Sequence, residues 1–169
     1  MTTTNSSTET SATSAQPGSE HPRVVLERTL DAPRELVFKA WTDPEMLARW
    51  WGPTYFTNPV CELDVRPGGA ILIHMAAPDG AVYPMTGEFN EIVPPERLVM
   101  TSSAFASVGG IFLLEDVTTV TFEEYEGKTK LTVEAVVTKA APEAAGPLSG
   151  MEEGWSQSLD NLARLLETA

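Results

Sequence analysis

The stretch WTDPEMLARWW, residues Trp41–Trp51, contains three of the four tryptophans in a chain of 169 residues. Asp43 followed by Pro44 is typical of a helix start, and the Gly52-Pro53 pair that follows is typical of a helix end. A helix this short is not stable in isolation, so its apolar face must pack against another part of the chain. The three indoles therefore either close one end of a hydrophobic core or face a cavity that receives another molecule.

A second short helix is predicted immediately before this stretch. It begins at Pro33, and its apolar residues repeat at positions i, i+1, i+4 and i+5 from Leu36. The segment Arg23–Leu30, which precedes it, has the composition of a β-strand. The chain is thus expected to begin its fold with one strand followed by two short helices.

Beyond the tryptophans the pattern changes to strands separated by turn residues. Six strands are predicted, at Thr57–Arg66, Ala70–Ala77, Ala81–Val93, Arg97–Phe105, Ile111–Tyr125 and Lys128–Lys139. The turns Pro78-Asp79-Gly80 and Glu126-Gly127 are typical of hairpins, so the strands are expected to pair antiparallel.

Alternation along these strands predicts which side chains face the core. Within Ala81–Val93, Phe89 and Glu91 share the face that looks inward, unless a bulge near Gly87 exchanges the two faces. Both faces of the segment Ile71–Met75 carry apolar residues, so alternation does not decide which of its faces is inward.

The final element is a long helix with one apolar stripe. The stripe consists of Leu148, Met151, Trp155, Leu159, Leu162 and Leu166. Gly154 lies within it at a cost of about 1 kcal/mol relative to alanine, which suggests a close approach of backbone or ligand there. Because no other predicted element is long enough to cover the sheet, we predict an α+β fold. A curved antiparallel sheet of six or seven strands wraps around the C-terminal helix, and the two short helices close one end.

Composition and charge narrow the possible partners. The chain is 42% hydrophobic and 21% charged, as globular domains are, and its net charge of −13 disfavours a nucleic-acid partner. The single cysteine, Cys61, is expected to be a buried thiol without a nucleophilic role, and one cysteine suits a reducing compartment. No apolar run is long enough to span a membrane, so we expect a cytoplasmic protein with no membrane partner.

Residues 1–22 are rich in Ser and Thr and are predicted to form a disordered tail before a domain at residues 23–169.

The order of these elements resembles the helix-grip fold of the START-like (SRPBCC) superfamily, which includes polyketide cyclases and the birch-pollen-allergen type. Four segments resemble more closely the bacterial homologues of the C-terminal domain of the heat-shock-protein ATPase activator: DAPRELVFKAWTDPEMLARWWGP, DVRPGG, PDGAVYPMTGEFNEIVPPERLVMT and MEEGWSQSLDNLARLL. The resemblance extends from Arg23 to Thr168 and implies the fold, but it brings no catalytic motif. The eukaryotic co-chaperone carries this domain behind a separate N-terminal domain, whereas 22 polar residues precede it here. The resemblance therefore does not by itself imply ATPase activation.

We expect a ligand site between the long helix and the sheet, because aromatic and methionine side chains with a few polar groups are typical of small-molecule pockets. The candidate ligand-binding residues are Trp41, Trp50, Trp51, His74, Met75, Tyr83, Met85, Phe105, Phe112 and Trp155. Each of them could instead be an ordinary member of the core. The expected ligand is a small, largely apolar molecule. We expect no cofactor and no metal, since two histidines and one cysteine provide no metal-ligand spacing.

Two other functions are compatible with the sequence. His74 could act as an acid or base in an enzyme of cyclase or hydrolase type, although a partly buried histidine bonded to a neighbouring group is the simpler interpretation. Alternatively, the domain could be a chaperone-linked protein-interaction module, which would have a solid core and an exposed apolar patch. A homodimer is compatible with all three functions.

Overall fold

The computed structural model describes residues 22–106, 112–142 and 149–168. The predicted disordered tail, residues 1–22, lies outside the described residues apart from Pro22. The carbonyl oxygen of Pro22 accepts a hydrogen bond from the backbone N–H of Val137 at 2.8 Å. Ordered contacts are therefore present one residue before the predicted domain boundary at Arg23.

Seven antiparallel strands form one curved sheet, as predicted. In chain order they are β1 (Arg23–Leu30), β2 (Thr57–Leu63), β3 (Ala70–Ala76), β4 (Val82–Val93), β5 (Arg97–Ala106), β6 (Phe112–Tyr125) and β7 (Lys128–Ala140). Across the sheet the order is β1-β7-β6-β5-β4-β3-β2. Strands β2 to β7 thus form an uninterrupted meander, and β1 adds to its far edge beside β7.

The β6–β7 hairpin fixes the register of the two longest strands. Glu126 and Gly127 both have positive φ angles, 53° and 80°, as a two-residue turn of the mirror-image type requires. Tyr125 and Lys128 consequently face each other as the first pair of the ladder. The predicted hairpin at Glu126-Gly127 is confirmed.

Two short helices follow β1, as predicted. They are α1 (Arg34–Thr42) and α2 (Pro44–Trp50). The carboxylate of Asp43 accepts hydrogen bonds from the backbone N–H groups of Glu45 at 2.9 Å and Met46 at 3.4 Å. This cap satisfies two N–H groups that have no partner within α2, and it separates the two helices.

The long helix α3 (Met151–Glu167) covers the apolar face of the sheet. Leu159 and Leu162 are fully buried and Leu166 is nearly so, in one cluster with Val120 and Val133 of the sheet. From Leu159 to Leu166 the predicted apolar stripe therefore docks on the sheet as expected, and the α+β helix-grip fold is confirmed. Leu148, the first residue of the predicted stripe, lies outside the described residues.

The alternation predicted for the second half of β4 is wrong. A bulge between Phe89 and Glu91 exchanges the two faces beyond it, so Ile92 packs against the core. Glu91 is exposed, and its carboxylate accepts a hydrogen bond from Nε of Arg97 at 3.0 Å. Phe89, before the bulge, remains fully buried. The bulge thus lies after Phe89 rather than near Gly87.

Candidate functional site

The four tryptophans form one cluster that joins the short helices to α3. The ring centroids of Trp41 and Trp50 lie 4.7 Å apart, and those of Trp51 and Trp155 lie 5.4 Å apart. Trp155 also stacks on Trp41 at 6.2 Å. Trp41 and Trp50 have 1% and 0% of their surface exposed, whereas Trp51 and Trp155 are partly buried. The cluster therefore has an inner pair in the core and an outer pair that borders open space.

The inner pair anchors the two short helices to each other. Nε1 of Trp50 donates a hydrogen bond to the backbone carbonyl of Ala40 at 2.9 Å, which ties α2 to α1. Because this donor is used within the fold and its ring is fully buried, Trp50 is a member of the core.

A cavity of about 280 Å³ lies beside the outer pair, between α3 and the sheet. On α3 its wall consists of Met151, Gly154, Trp155 and Ser158, which follow the i, i+3, i+4, i+7 spacing of one helix face. Gly150 also lines the cavity and is exposed, so the cavity reaches the surface at the start of α3. Its volume is at the lower limit of the roughly 300–1,000 Å³ typical of ligand pockets, so it suits a small molecule.

The segment after α2 forms a second wall, and hydrogen bonds hold it against α3. Trp51, Gly52 and Pro53 line the cavity. Thr54 donates its backbone N–H to Oε1 of Gln157 at 3.0 Å. On the other side of the segment, Nδ2 of Asn58 donates to the carbonyl oxygen of Trp51 at 2.8 Å. This wall is therefore positioned by polar contacts rather than by packing alone.

The sheet provides the floor, which is mostly apolar. Met75 of β3, Met85 of β4, Ala104 of β5 and Leu114 of β6 contribute apolar side chains. They lie on strands that are neighbours in the sheet, so the antiparallel register brings them onto one face.

Asp116 is the one charged side chain among the described residues that line this cavity. It pairs directly with Ser102 across β5 and β6, and the hydroxyl of Ser102 donates to Oδ1 of Asp116 at 2.8 Å. The hydroxyl of Thr118 donates to the same oxygen at 3.4 Å. Burial raises the pKa of Asp116 above its ordinary value, the two hydroxyl groups oppose the rise, and the negative charge of Glu115 adds to it.

Sequence reasoning missed Asp116, although β6 contains the signal. Leu114, Asp116, Thr118, Val120 and Phe122 alternate along the strand, and four of these five are buried. A carboxylate at an inward position of an alternating strand is costly unless it is hydrogen-bonded, so it indicates a special role.

The structure separates the predicted site residues into distinct groups. Trp51, Met75, Met85 and Trp155 line the cavity, whereas Trp41 and Trp50 lie behind it in the core. Tyr83 lies with its ring 6.2 Å from that of Phe56, outside the described lining. The side chains of Phe105 and Phe112 lie outside the described part of the chain.

His74 does not line the cavity described here. Neighbouring side chains on a strand point to opposite faces, and Ile73 and Met75 face the core and the cavity. His74 therefore lies on the outer face of β3, where its strand partners are Val60 of β2 and Pro84 of β4. His74 is thus adjacent to Met75 in the sequence but lies on the face of β3 that is opposite to the cavity floor.

Cys61 is partly buried on β2 and packs against the core. Burial raises the pKa of its thiol to about 11, so the thiol is protonated at neutral pH. Since the thiolate is the reactive form, this cysteine is not an activated nucleophile.

Other kinds of site are not found in the residues that the structure describes. Within residues 22–106, 112–142 and 149–168, no group of three or more His, Cys, Asp or Glu side chains is arranged to hold a metal ion. No helix in those ranges is both long and apolar enough to cross a membrane.

The helix-grip architecture places this chain in the START-like class of domains. Residues 31–167 match the family described as Activator of Hsp90 ATPase homolog 1-like protein, and the chain belongs to this family. The predicted resemblance is thereby confirmed.

Solved structures of bacterial proteins share the fold over nearly their whole length. A protein from Chromobacterium violaceum is 31% identical, with 86% of this chain and 97% of the other covered and a TM-score of 0.71. A protein from Rhizobium leguminosarum is 30% identical, with 89% and 97% covered and a TM-score of 0.72. A third, from Nitrosomonas europaea, is 26% identical, with 86% and 94% covered and a TM-score of 0.73. Comparison with curated proteins found no match.

Proposed function

We propose that this protein binds a small, largely apolar molecule in the cavity between α3 and the sheet. The observation that carries the proposal is the cavity of about 280 Å³ with aromatic and methionine walls, formed by Trp51, Met75, Met85 and Trp155. A mostly apolar cavity with a few polar groups is the usual design of a small-molecule site. A START-like fold is consistent with this use.

The proposal is tested first by thermal unfolding of the purified protein against a panel of small aromatic and aliphatic compounds, each with acid, alcohol and amine members. A ligand present at 100 times its dissociation constant adds about 2.7 kcal/mol to the free energy of unfolding. For a domain of this size the midpoint then rises on the order of 5–10 °C. A panel without any such shift would contradict the proposal.

A pair of matched leucine substitutions on α3 locates the binding. Apart from the backbone of α3 itself, no atom of the described residues lies within 4 Å of a Cβ added at Gly154. Gly154 lies on the helix face that lines the cavity, so Gly154→Leu is expected to fill part of it. Glu152→Leu adds the same side chain at an exposed position of the same helix. We expect Gly154→Leu to abolish the ligand-induced shift and Glu152→Leu to retain it. Equal shifts in both variants would place the ligand elsewhere.

The two other functions drawn from the sequence receive less support. An acid–base role of His74 in this cavity is disfavoured by its place on the outer face of β3. The interaction-module hypothesis requires a solid core. The cavity beside Trp51 and Trp155 is inconsistent with such a core. We therefore favour ligand binding over both.

A further inference from the structure

We infer that the ligand of this cavity carries one protonated amine on an apolar body, and that the carboxylate of Asp116 binds this amine. The inference rests on the proposed function, because it assigns the polar contact within the same cavity. It concerns which molecules the cavity selects rather than whether it binds any.

The hydrogen bonds of Asp116 leave one of its oxygens available. Ser102 and Thr118 both donate to Oδ1, at 2.8 and 3.4 Å. No hydrogen bond within the described residues reaches Oδ2. Because Asp116 lines the cavity, Oδ2 is the atom that can accept a hydrogen bond from a bound molecule.

Among the described residues, no cation compensates the charge of Asp116. The described lining contains no Lys, Arg or His side chain. The described groups that act on Asp116 are the hydroxyls of Ser102 and Thr118 and the like-charged Glu115. A buried carboxylate without a cation is unfavourable, and a cationic ligand removes that cost on binding. A neutral hydroxyl could donate a hydrogen bond to Oδ2, but it would leave the charge uncompensated.

The charge of the whole chain favours the same ligand class. The net charge of −13 favours the approach of cations to the protein over that of anions. An organic acid would instead be repelled by the net negative charge of the protein and by the carboxylate of Asp116 on the floor of the cavity. An amine attached to an apolar body would pair its positive charge with Asp116 on the floor, and its apolar part would pack against the apolar walls.

The test uses three probes with one apolar body and different head groups. They are 2-(aminomethyl)naphthalene, 2-(hydroxymethyl)naphthalene and 2-methylnaphthalene, titrated into the full chain at pH 7 by isothermal titration calorimetry. We expect the amine to bind at least about tenfold more tightly than the methyl compound, as one hydrogen bond between charged groups provides. The alcohol should bind with an affinity close to that of the methyl compound.

Two variants separate the contact with Asp116 from the general charge of the protein. Asp116→Asn should remove the preference for the amine, so that the amine and 2-methylnaphthalene bind with similar affinities. Glu115→Gln removes the charge of the neighbouring residue, whose Oε1 accepts a hydrogen bond from the hydroxyl of Thr138. This variant should keep the preference for the amine. Circular dichroism serves as the check that both variants are folded.

The outcomes distinguish this inference from the proposed function. Binding of the methyl compound without a preference for the amine, or a preference that survives in Asp116→Asn, would overturn the inference and leave the cavity's function intact. Binding of none of the three probes would overturn the proposed function and the inference together.

Discussion

The hydroxyl of Ser158 on α3 accepts a hydrogen bond from the backbone N–H of Gly52, at 3.0 Å. Both residues are buried and both line the cavity, so this bond fixes one wall of the cavity to the other. Nδ2 of Asn161, one turn further along α3, donates to the carbonyl oxygen of Gly52 at 3.2 Å. Gly52, two residues after the end of α2, is therefore bonded to the middle of α3 through both of its backbone polar groups.

Ser158→Ala is expected to lower the free energy of unfolding by about 1–2 kcal/mol, because it leaves the buried N–H of Gly52 without a partner. Ser156→Ala is the matched control on the same helix. Ser156 accepts a hydrogen bond from Arg28 at a less buried position, and its loss should cost less than about 1 kcal/mol. Urea unfolding followed by tryptophan fluorescence measures both values, and equal losses would contradict the role of the Gly52 contact.

Gly154→Ala is expected to raise the free energy of unfolding by up to about 1 kcal/mol, because alanine is the better helix former. Outside the backbone of α3, the added Cβ has no atom of the described residues within 4 Å. Gly87→Ala should do the opposite. Its Cβ would lie 2.2 Å from the backbone oxygen of Thr101 in the neighbouring strand, and such overpacking costs about 1–3 kcal/mol or more. Thermal unfolding of the two variants decides the point, and a destabilised Gly154→Ala would show that the open space is absent.

Asp116→Asn is expected to stabilise the protein at neutral pH. The pKa of Asp116 is raised in the fold, chiefly by burial, so the native state holds its proton to a higher pH than the unfolded chain does. The stability associated with that proton is fully present below the ordinary aspartate pKa and is lost as the pH rises through the raised value. The gain from Asp116→Asn should therefore grow over that interval and then remain constant up to pH 8. A gain that is the same at pH 3.5 and at pH 7 would contradict the assignment to ionisation.

Cys61 is expected to react slowly with disulfide reagents in the native state. Burial raises the pKa of its thiol from 9.0 to about 11, so at pH 8 its thiolate is roughly a hundredfold less abundant than in the unfolded chain. The measurement is the rate of labelling with an aromatic disulfide at pH 8, with and without urea. Native and unfolded protein that react at similar rates would show that the thiol is not buried.

Local sequence signals were sufficient for most of the secondary structure. The predicted limits of β1 agree with the structure, and those of β7 differ by one residue, because turn residues and alternation are properties of neighbouring positions. The predicted end of β2 was three residues too late. Beyond Leu63 the chain turns, with Asp64 and Arg66 forming an exposed ion pair at 2.8 Å, so their side chains bond to each other within the turn.

Of the residues that line the site, the sequence predicted apolar ones but none of the polar ones. Trp51 and Trp155 stood out as large side chains in amphipathic helices, and the structure places both on the cavity wall. The polar half depends on pairs that are distant in sequence, such as Ser102 with Asp116 and Gly52 with Ser158. Only the strand register and the docking of α3 bring these partners together.

The sequence by itself determined the order of the elements, the two short helices, the hairpins and the helix that covers the sheet, because each depends on residues a few positions apart. The tertiary structure decided which face each residue occupies. Met75 lies on the floor of the cavity and His74, one position away, lies outside it. A strand changes face at every residue and a bulge exchanges the faces beyond it, so the inward set is fixed only when the strands are paired.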